Sequence, residues 1–124
     1  MRNLVDSSGW LEFFTDGALA LKYFRYLEKL QDVVVPSLVV YEVYKKIKKE
    51  RNEEEALVAV AHMGKAKIVG LDDALALFAA DISLKYGLPM ADAIIYATAL
   101  QENARLITSD SHFSRLTNVV FLKK

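Results

Sequence analysis

Short aliphatic runs alternate along this chain with stretches of helical periodicity. Leu4-Val5 is stopped by Asp6-Ser7-Ser8, after which Trp10, Leu11, Phe13 and Phe14 recur at helical spacing, predicting strand, tight turn and helix. Residues 17–30 place Leu19, Tyr23, Tyr26, Leu27 and Leu30 on one face of a second helix, and Val33-Val34-Val35 offers a short strand. Pro36 and Ser37 open a helix over 37–50, Pro suiting the first turn and Ser able to accept from a free helix N–H. Residues 53–63 form another helix stopped at Gly64, and Lys67-Ile68-Val69-Gly70-Leu71 is a third strand ending at the N-cap Asp72, which opens a helix to Tyr86. Gly87 ends that helix and Pro89 sits near the start of the next, 90–102, which is apolar nearly all round and is therefore predicted to be buried. Arg105-Leu106-Ile107-Thr108 is a fourth strand, residues 110–116 a short helix, and Val119-Val120-Phe121-Leu122 a fifth strand.

Strands that alternate with helices, and that are short apolar runs fit for burial on both sides, predict a parallel sheet covered on both faces. The expected fold is an α/β, three-layer α/β/α sandwich with about five strands, forming a single domain over residues 1–124. In such folds ligands sit outside the carboxyl ends of the strands, where the strand order reverses. Composition agrees with a packed core, since 53% of residues are hydrophobic and only five are Gly and two Pro. The strongly apolar stretches 33–44 and 88–100 are interrupted by Glu42 and Asp92 before reaching the ~20 residues of a membrane span. No signal peptide is read at the start of the chain and Cys is absent, so a cytoplasmic protein without disulfides or membrane contact is expected. Sixteen Lys+Arg balance sixteen Asp+Glu, which leaves any polyanion to be held by a local patch such as Lys45, Lys46, Lys48, Lys49 and Arg51.

Four carboxylates stand in otherwise apolar or turn-like surroundings: Asp6 after the first strand, Glu42 and Asp92 inside apolar helices, and Asp110 after the fourth strand. Each has a structural explanation when taken alone. Asp6 and Asp110 suit helix caps, Asp92 suits the positive end of its helix, and Glu42 lies at helical spacing from Lys45 and Lys46. If the first and fourth strands are neighbours, however, all four gather at one sheet edge. Like charges that close repel, so the cluster stays ionised only beside cations. Oxygen ligands, with no Cys and no His placed among them by the sequence, favour Mg²⁺ or Mn²⁺ over Zn²⁺. Such an ion lowers the pKa of a bound water and neutralises charge on a phosphate, which points to phosphodiester hydrolysis.

The segments Leu4-Val5-Asp6-Ser7-Ser8, Val35-Pro36-Ser37-Leu38-Val39-Val40-Tyr41-Glu42-Val43, residues 86–99 around Met90-Ala91-Asp92-Ala93-Ile94, and Leu106-Ile107-Thr108-Ser109-Asp110-Ser111-His112-Phe113 together resemble PIN-domain ribonucleases. The chain looks most like the VapC toxins of prokaryotic toxin–antitoxin pairs. The resemblance implies a sheet of order 3-2-1-4-5, an endoribonuclease dependent on Mg²⁺ or Mn²⁺ acting on RNA, a homodimer, and a cognate antitoxin protein. It implies Asp6, Glu42, Asp92 and Asp110 as metal-binding and catalytic carboxylates, with Ser7 and Thr108 supporting them. Relatives often carry a further acidic or amide residue just after the fourth carboxylate, where this chain has Ser111, His112 and Ser114, which leaves open whether a second ion binds.

Other residues divide between structure and function. Lys45, Lys46 and Lys49 follow Glu42 by one or two turns and are read as possible contacts to an RNA backbone, although cations also suit a helix C-terminus. His112 could donate to a phosphate or the leaving oxygen but is expected at the surface, His62 has no visible partner, and the aromatic residues of 10–26 are expected in the core or at a subunit contact rather than stacked on bases. The apolar residues of helices 10–30 and 53–63 are the expected dimer or partner surface. Two other readings are a receiver-like signalling domain, with Asp72 after the third strand and Lys123 after the fifth, and a catalytically idle PIN-like scaffold that only binds protein.

Overall fold

The computed structural model describes residues 1–123. Five parallel strands, β1 (Arg2–Val5), β2 (Val33–Pro36), β3 (Lys67–Val69), β4 (Ala104–Thr108) and β5 (Val119–Phe121), form one sheet of order β3-β2-β1-β4-β5. Six helices surround it: α1 (Ser7–Phe14), α2 (Ala20–Leu27), α3 (Ser37–Glu50), α4 (Glu53–Met63), α5 (Asp73–Tyr86) and α6 (Met90–Gln101). Right-handed crossovers to β2 and β3 put α1–α4 on one face, and the long return from β3 to β4 puts α5 and α6 on the other. The expected architecture and strand order are those observed. The order also separates this sheet from a receiver, whose third strand is central in a 2-1-3-4-5 sheet. Here β3 is an edge strand, and Asp72 caps α5 by accepting the Leu75 N–H at 2.8 Å.

Burial follows position in the sheet. Leu4 and Val5 of β1, Val33 to Pro36 of β2, and Leu106 and Ile107 of β4 are buried, while edge strands β3 and β5 keep only three residues each and stay partly exposed. Burial on both sides therefore holds for the centre and fails at the rims. On α3 the buried residues Val39, Val43 and Ile47 recur every four positions, which turns one stripe inward and leaves the lysines outside. Helix α6 buries Ala93, Ile95, Tyr96, Ala97, Thr98 and Ala99, as its composition predicts.

Three local expectations are corrected. The helix predicted over 17–30 is shorter, because Asp16 adopts positive φ and Ala20–Leu27 gives way to a 3-10 turn at Leu30–Asp32. That turn presents a side chain every three residues, so the apolar spacing runs on through the break. The helix expected over 110–116 is a 3-10 turn, Ser111–Phe113. Pro36 itself takes the N-cap position of α3 and makes no side-chain cap, so Ser37 lies inside the helix.

Gly9 is where α1 passes closest to the core. A Cβ there would stand 2.5 Å from a Tyr23 ring carbon and 2.5 Å from Val5 Cγ1, and both neighbours are fully buried. Gly9→Ala is therefore expected to cost about 2 kcal/mol of stability through overpacking, read as a lowered urea midpoint. An unchanged midpoint would mean that α1 is free to move outward.

Candidate active site

Strand β1 pairs with β2 on one side and β4 on the other, so the sheet's connections reverse direction between β1 and β4. Val5 is in register with Ile107, which brings Asp6, one residue beyond β1, beside the turn that carries Asp110. Asp6 is 5% exposed. Its Oδ1 accepts the Gly9 N–H at 3.1 Å and the Ser8 hydroxyl at 2.9 Å, and its Oδ2 accepts the Thr108 hydroxyl. Thr108 Oγ1 in turn accepts the Asp110 N–H at 2.9 Å, so one threonine ties the two carboxylate turns together. The cap reading of Asp6 and Asp110 is thus correct but incomplete: each caps its own turn, Asp110 through the His112 N–H at 2.9 Å, and both face one crevice.

Helices from opposite faces bring in the other two acids. The first turn of α6 supplies Asp92, and α3 supplies Glu42, whose Oε1 is buried without a hydrogen-bond partner among the described residues. Glu42 does not pair with Lys45 or Lys46. Lys45 Nζ lies 3.4 Å from the Tyr41 hydroxyl, and Lys46 reaches Glu50 at 3.6 Å. Burial pushes the Glu42 carboxyl above its ordinary range; the Ser7 hydroxyl opposes this, and the charges of Asp92 and Asp6 add to it. Asp6 is also raised, chiefly by burial, with its bonds from Thr108, Gly9 and Ser8 opposing and the charge of Asp110 adding. These influences place all four carboxylates and Ser7 in one electrostatic neighbourhood. Among the described residues, no Lys or Arg forms an ion pair with any of the four.

One member of the crevice was not assigned from sequence. His112 Nδ1 is 2.9 Å from Asp92 Oδ2 and 3.5 Å from Asp110 Oδ1. The ring is exposed, as expected, but it caps the acidic cluster instead of facing away from it. Asp92, Asp110 and His112 each offer one donor atom within 4.8 Å of the other two. Asp6 and Glu42 are the more buried pair, Asp6 being 5% exposed and one Glu42 oxygen fully covered. The second addition is Tyr23, whose hydroxyl donates to Ser109 Oγ at 3.0 Å and whose pKa is pushed up to about 12, chiefly by burial. His62 also finds partners, though not here: its ring packs on Trp10, Phe13 and Phe14 with centroids 5.6–6.2 Å away. Those aromatic residues pack on one another, as core residues do.

The donor set fits a divalent cation. A buried carboxylate oxygen with no partner, beside three further acids whose one basic neighbour among the described residues is His112 at the rim, is unfavourable until a cation supplies what the protein withholds. Thr108, Ser8 and the α1 N-terminus hold the Asp6 oxygens in place by hydrogen bonds, so the crevice is shaped in advance.

The PIN domain family model matches residues 4–119, and the chain belongs to that family. Among curated proteins, no sequence matches it significantly. Solved structures share its fold at low identity. A toxin–antitoxin complex from Klebsiella pneumoniae superposes with a TM-score of 0.79 at 24% identity, covering 96% of each chain. The VapC20 toxin of Mycobacterium tuberculosis, described as cleaving the sarcin–ricin loop, gives 0.79 at 17% identity over 99% of this chain and 100% of that one. VapBC2 from Rickettsia felis, bound to a fragment of promoter DNA, gives 0.75 at 18% identity over 98% of each chain.

Proposed function

We propose that this protein is a divalent-metal-dependent endoribonuclease and the toxin of a VapBC-type toxin–antitoxin pair. The observation that carries the reading is the unpartnered, buried oxygen of Glu42, a carboxylate that feels the charges of Asp92 and Asp6, in a PIN domain. Asp6, Glu42, Asp92 and Asp110 would hold Mg²⁺ or Mn²⁺. A bound ion of this kind activates water and neutralises charge on the scissile phosphate. Thr108 fixes the Asp6 carboxylate and the Asp110 backbone, and Ser7 bears on Glu42; both are positioning residues.

The surface around the crevice suits a polynucleotide. On one side a groove of about 430 Å³ runs from Ser7 and Glu42 past Lys45, Lys46 and Lys49. On the other, a cleft of about 830 Å³ is bordered by His112, Ser114, Arg115 and Lys85. Cations therefore flank the acids although the chain as a whole is neutral. Replacing Lys45, Lys46 and Lys49 together by Ala is expected to weaken RNA binding and lower its salt slope by about two to three. A slope equal to that of the unaltered protein would remove these residues from the RNA track.

An antitoxin partner belongs to the same proposal, supported by neighbours that are themselves toxin–antitoxin complexes, and a homodimer is proposed with it from the family resemblance. The exposed apolar residues are more widely spread than the two expected helices: Leu21 and Phe24 on α2 and Leu57 and Val58 on α4 are joined by Leu77, Leu84 and Met90 on the opposite face. No single helix among the described residues is long and apolar enough to cross a membrane. With RNA as the substrate, the cytoplasm is the proposed location. The test is cleavage of a panel of single-stranded and structured RNAs with Mn²⁺, Mg²⁺ or EDTA. Ion-dependent cleavage is expected; cleavage indifferent to EDTA would contradict the reading, and ion binding without cleavage of any RNA would favour a protein-binding scaffold.

A further inference from the structure

We infer that His112 contributes an imidazole nitrogen to the ion site at Asp92 and Asp110, so that this site selects a first-row transition ion such as Mn²⁺ over Mg²⁺. The inference rests on the metal-dependent reading above and deepens it.

The placement of position 112 is built into the backbone. Asp110 accepts the His112 N–H at 2.9 Å, the Phe113 N–H closes on the Asp110 carbonyl at 3.2 Å, and the Phe113 side chain is 1% exposed. The 3-10 turn is therefore anchored on both sides of the histidine. The ring, with its side chain 61% exposed, is held only by its contacts with Asp92 and Asp110. A loosely held ring aimed at two carboxylates can turn without disturbing the fold.

The distances suit shared coordination. With metal–ligand bonds near 2.1 Å, neighbouring donors of an octahedral ion stand about 3 Å apart. His112 Nδ1 lies 2.9 Å from Asp92 Oδ2 and 3.5 Å from Asp110 Oδ1, which brackets that spacing. A proton shared between Nδ1 and Asp92 produces the shorter of the two distances as well. The longer one is set by the turn itself, since Asp110 caps the turn that carries His112, and it keeps that carboxylate beside the ring whether or not a proton is shared with Asp92. In forming the site the neutral imidazole would give up its contact with Asp92, and the ion would take the place of the bridging hydrogen.

Selectivity follows from donor chemistry. Mg²⁺ prefers oxygen donors and retained water, and Mn²⁺ shares the taste for oxygen but, as a first-row transition ion, accepts an imidazole nitrogen more readily than Mg²⁺ does. The all-oxygen donor set read from the sequence gave no ground for ranking Mn²⁺ above Mg²⁺. Asp92, Asp110 and His112 give one.

The chain carries two histidines, and His62 is engaged by Trp10, Phe13 and Phe14, so a nitrogen signal can be assigned without isotopic labelling of single residues. The experiment is electron spin echo spectroscopy of the Mn²⁺-loaded full chain, with calorimetric titrations of Mn²⁺ alone and Mg²⁺ alone. Expected are a nitrogen coupling of directly bound imidazole that survives His62→Ala and vanishes in His112→Ala, and a Mn²⁺-to-Mg²⁺ affinity ratio that falls about tenfold or more in His112→Ala. Mn²⁺ bound without nitrogen coupling, or coupling that persists in His112→Ala, would overturn the inference and leave the carboxylate site standing. Failure of the unaltered protein to bind Mn²⁺ at all would overturn both.

Discussion

Asp92→Asn is expected to lower RNA cleavage by about a thousandfold or more while leaving the thermal midpoint within a few degrees of the unaltered protein. The amide keeps the shape of the side chain and loses the charge that attracts an ion. Asp92 lies in the first turn of α6, where its carboxylate also favours the helix, so a small loss of stability is expected from that source, about 0.5 kcal/mol. The hydrogen bond with His112 is at the surface and adds little. Loss of cleavage by a cooperatively folded protein would assign Asp92 to the chemistry; cleavage at the unaltered rate would show that its convergence with Asp110 has no catalytic use.

The opposite balance is expected for Glu42→Gln. In the metal-free protein this half-buried carboxylate is pushed up by burial and has one oxygen without a partner, so removing its charge should stabilise the fold. The gain should appear as a midpoint higher by about 2–5 °C in EDTA. Its pH dependence has a definite sign. A carboxyl whose folded pKa lies above its unfolded value subtracts stability once the pH exceeds the folded value, and subtracts nothing below the unfolded value near 4.3. The difference between variant and unaltered protein should therefore shrink to zero as the pH falls through that window. With Mn²⁺ the order should reverse, since the unaltered protein gains stability from the ion and the variant gains less. A variant less stable than the unaltered protein in EDTA at neutral pH would show Glu42 to be satisfied by contacts of its own.

What could be read from sequence depended on how local the cause was. The parallel α/β architecture followed from alternating strand and helix patterns, and burial of α6 from its composition; the order of the strands came from family resemblance, because periodicity says nothing about which strands are neighbours. Asp6 and Asp110 were recognisable as strand-end carboxylates, and Glu42 and Asp92 as acids in apolar settings. Their meeting depends on the register of Val5 with Ile107 and on α3 and α6 approaching from opposite faces. From sequence His112 reads as a surface residue more readily than as a donor to phosphate, because its partner Asp92 lies twenty positions away, on a helix that its own turn faces only in three dimensions. Helix ends at 17–30 and 110–116 were overextended for a different reason, since 3-10 turns repeat apolar spacing closely enough to pass for another turn of α-helix.

Acids just beyond β1 and β4 and on α3 and α6 are proposed to form one cation site. Calorimetric titration of Mn²⁺ into the unaltered protein, Glu42→Gln and Asp110→Asn tests it without any choice of RNA. Binding by the unaltered protein that weakens in both variants is predicted, because one residue reaches the site from α3 and the other from the turn after β4. Binding that is absent, or that is the same with and without the Glu42 charge, would reduce the cluster to helix caps and contradict the account.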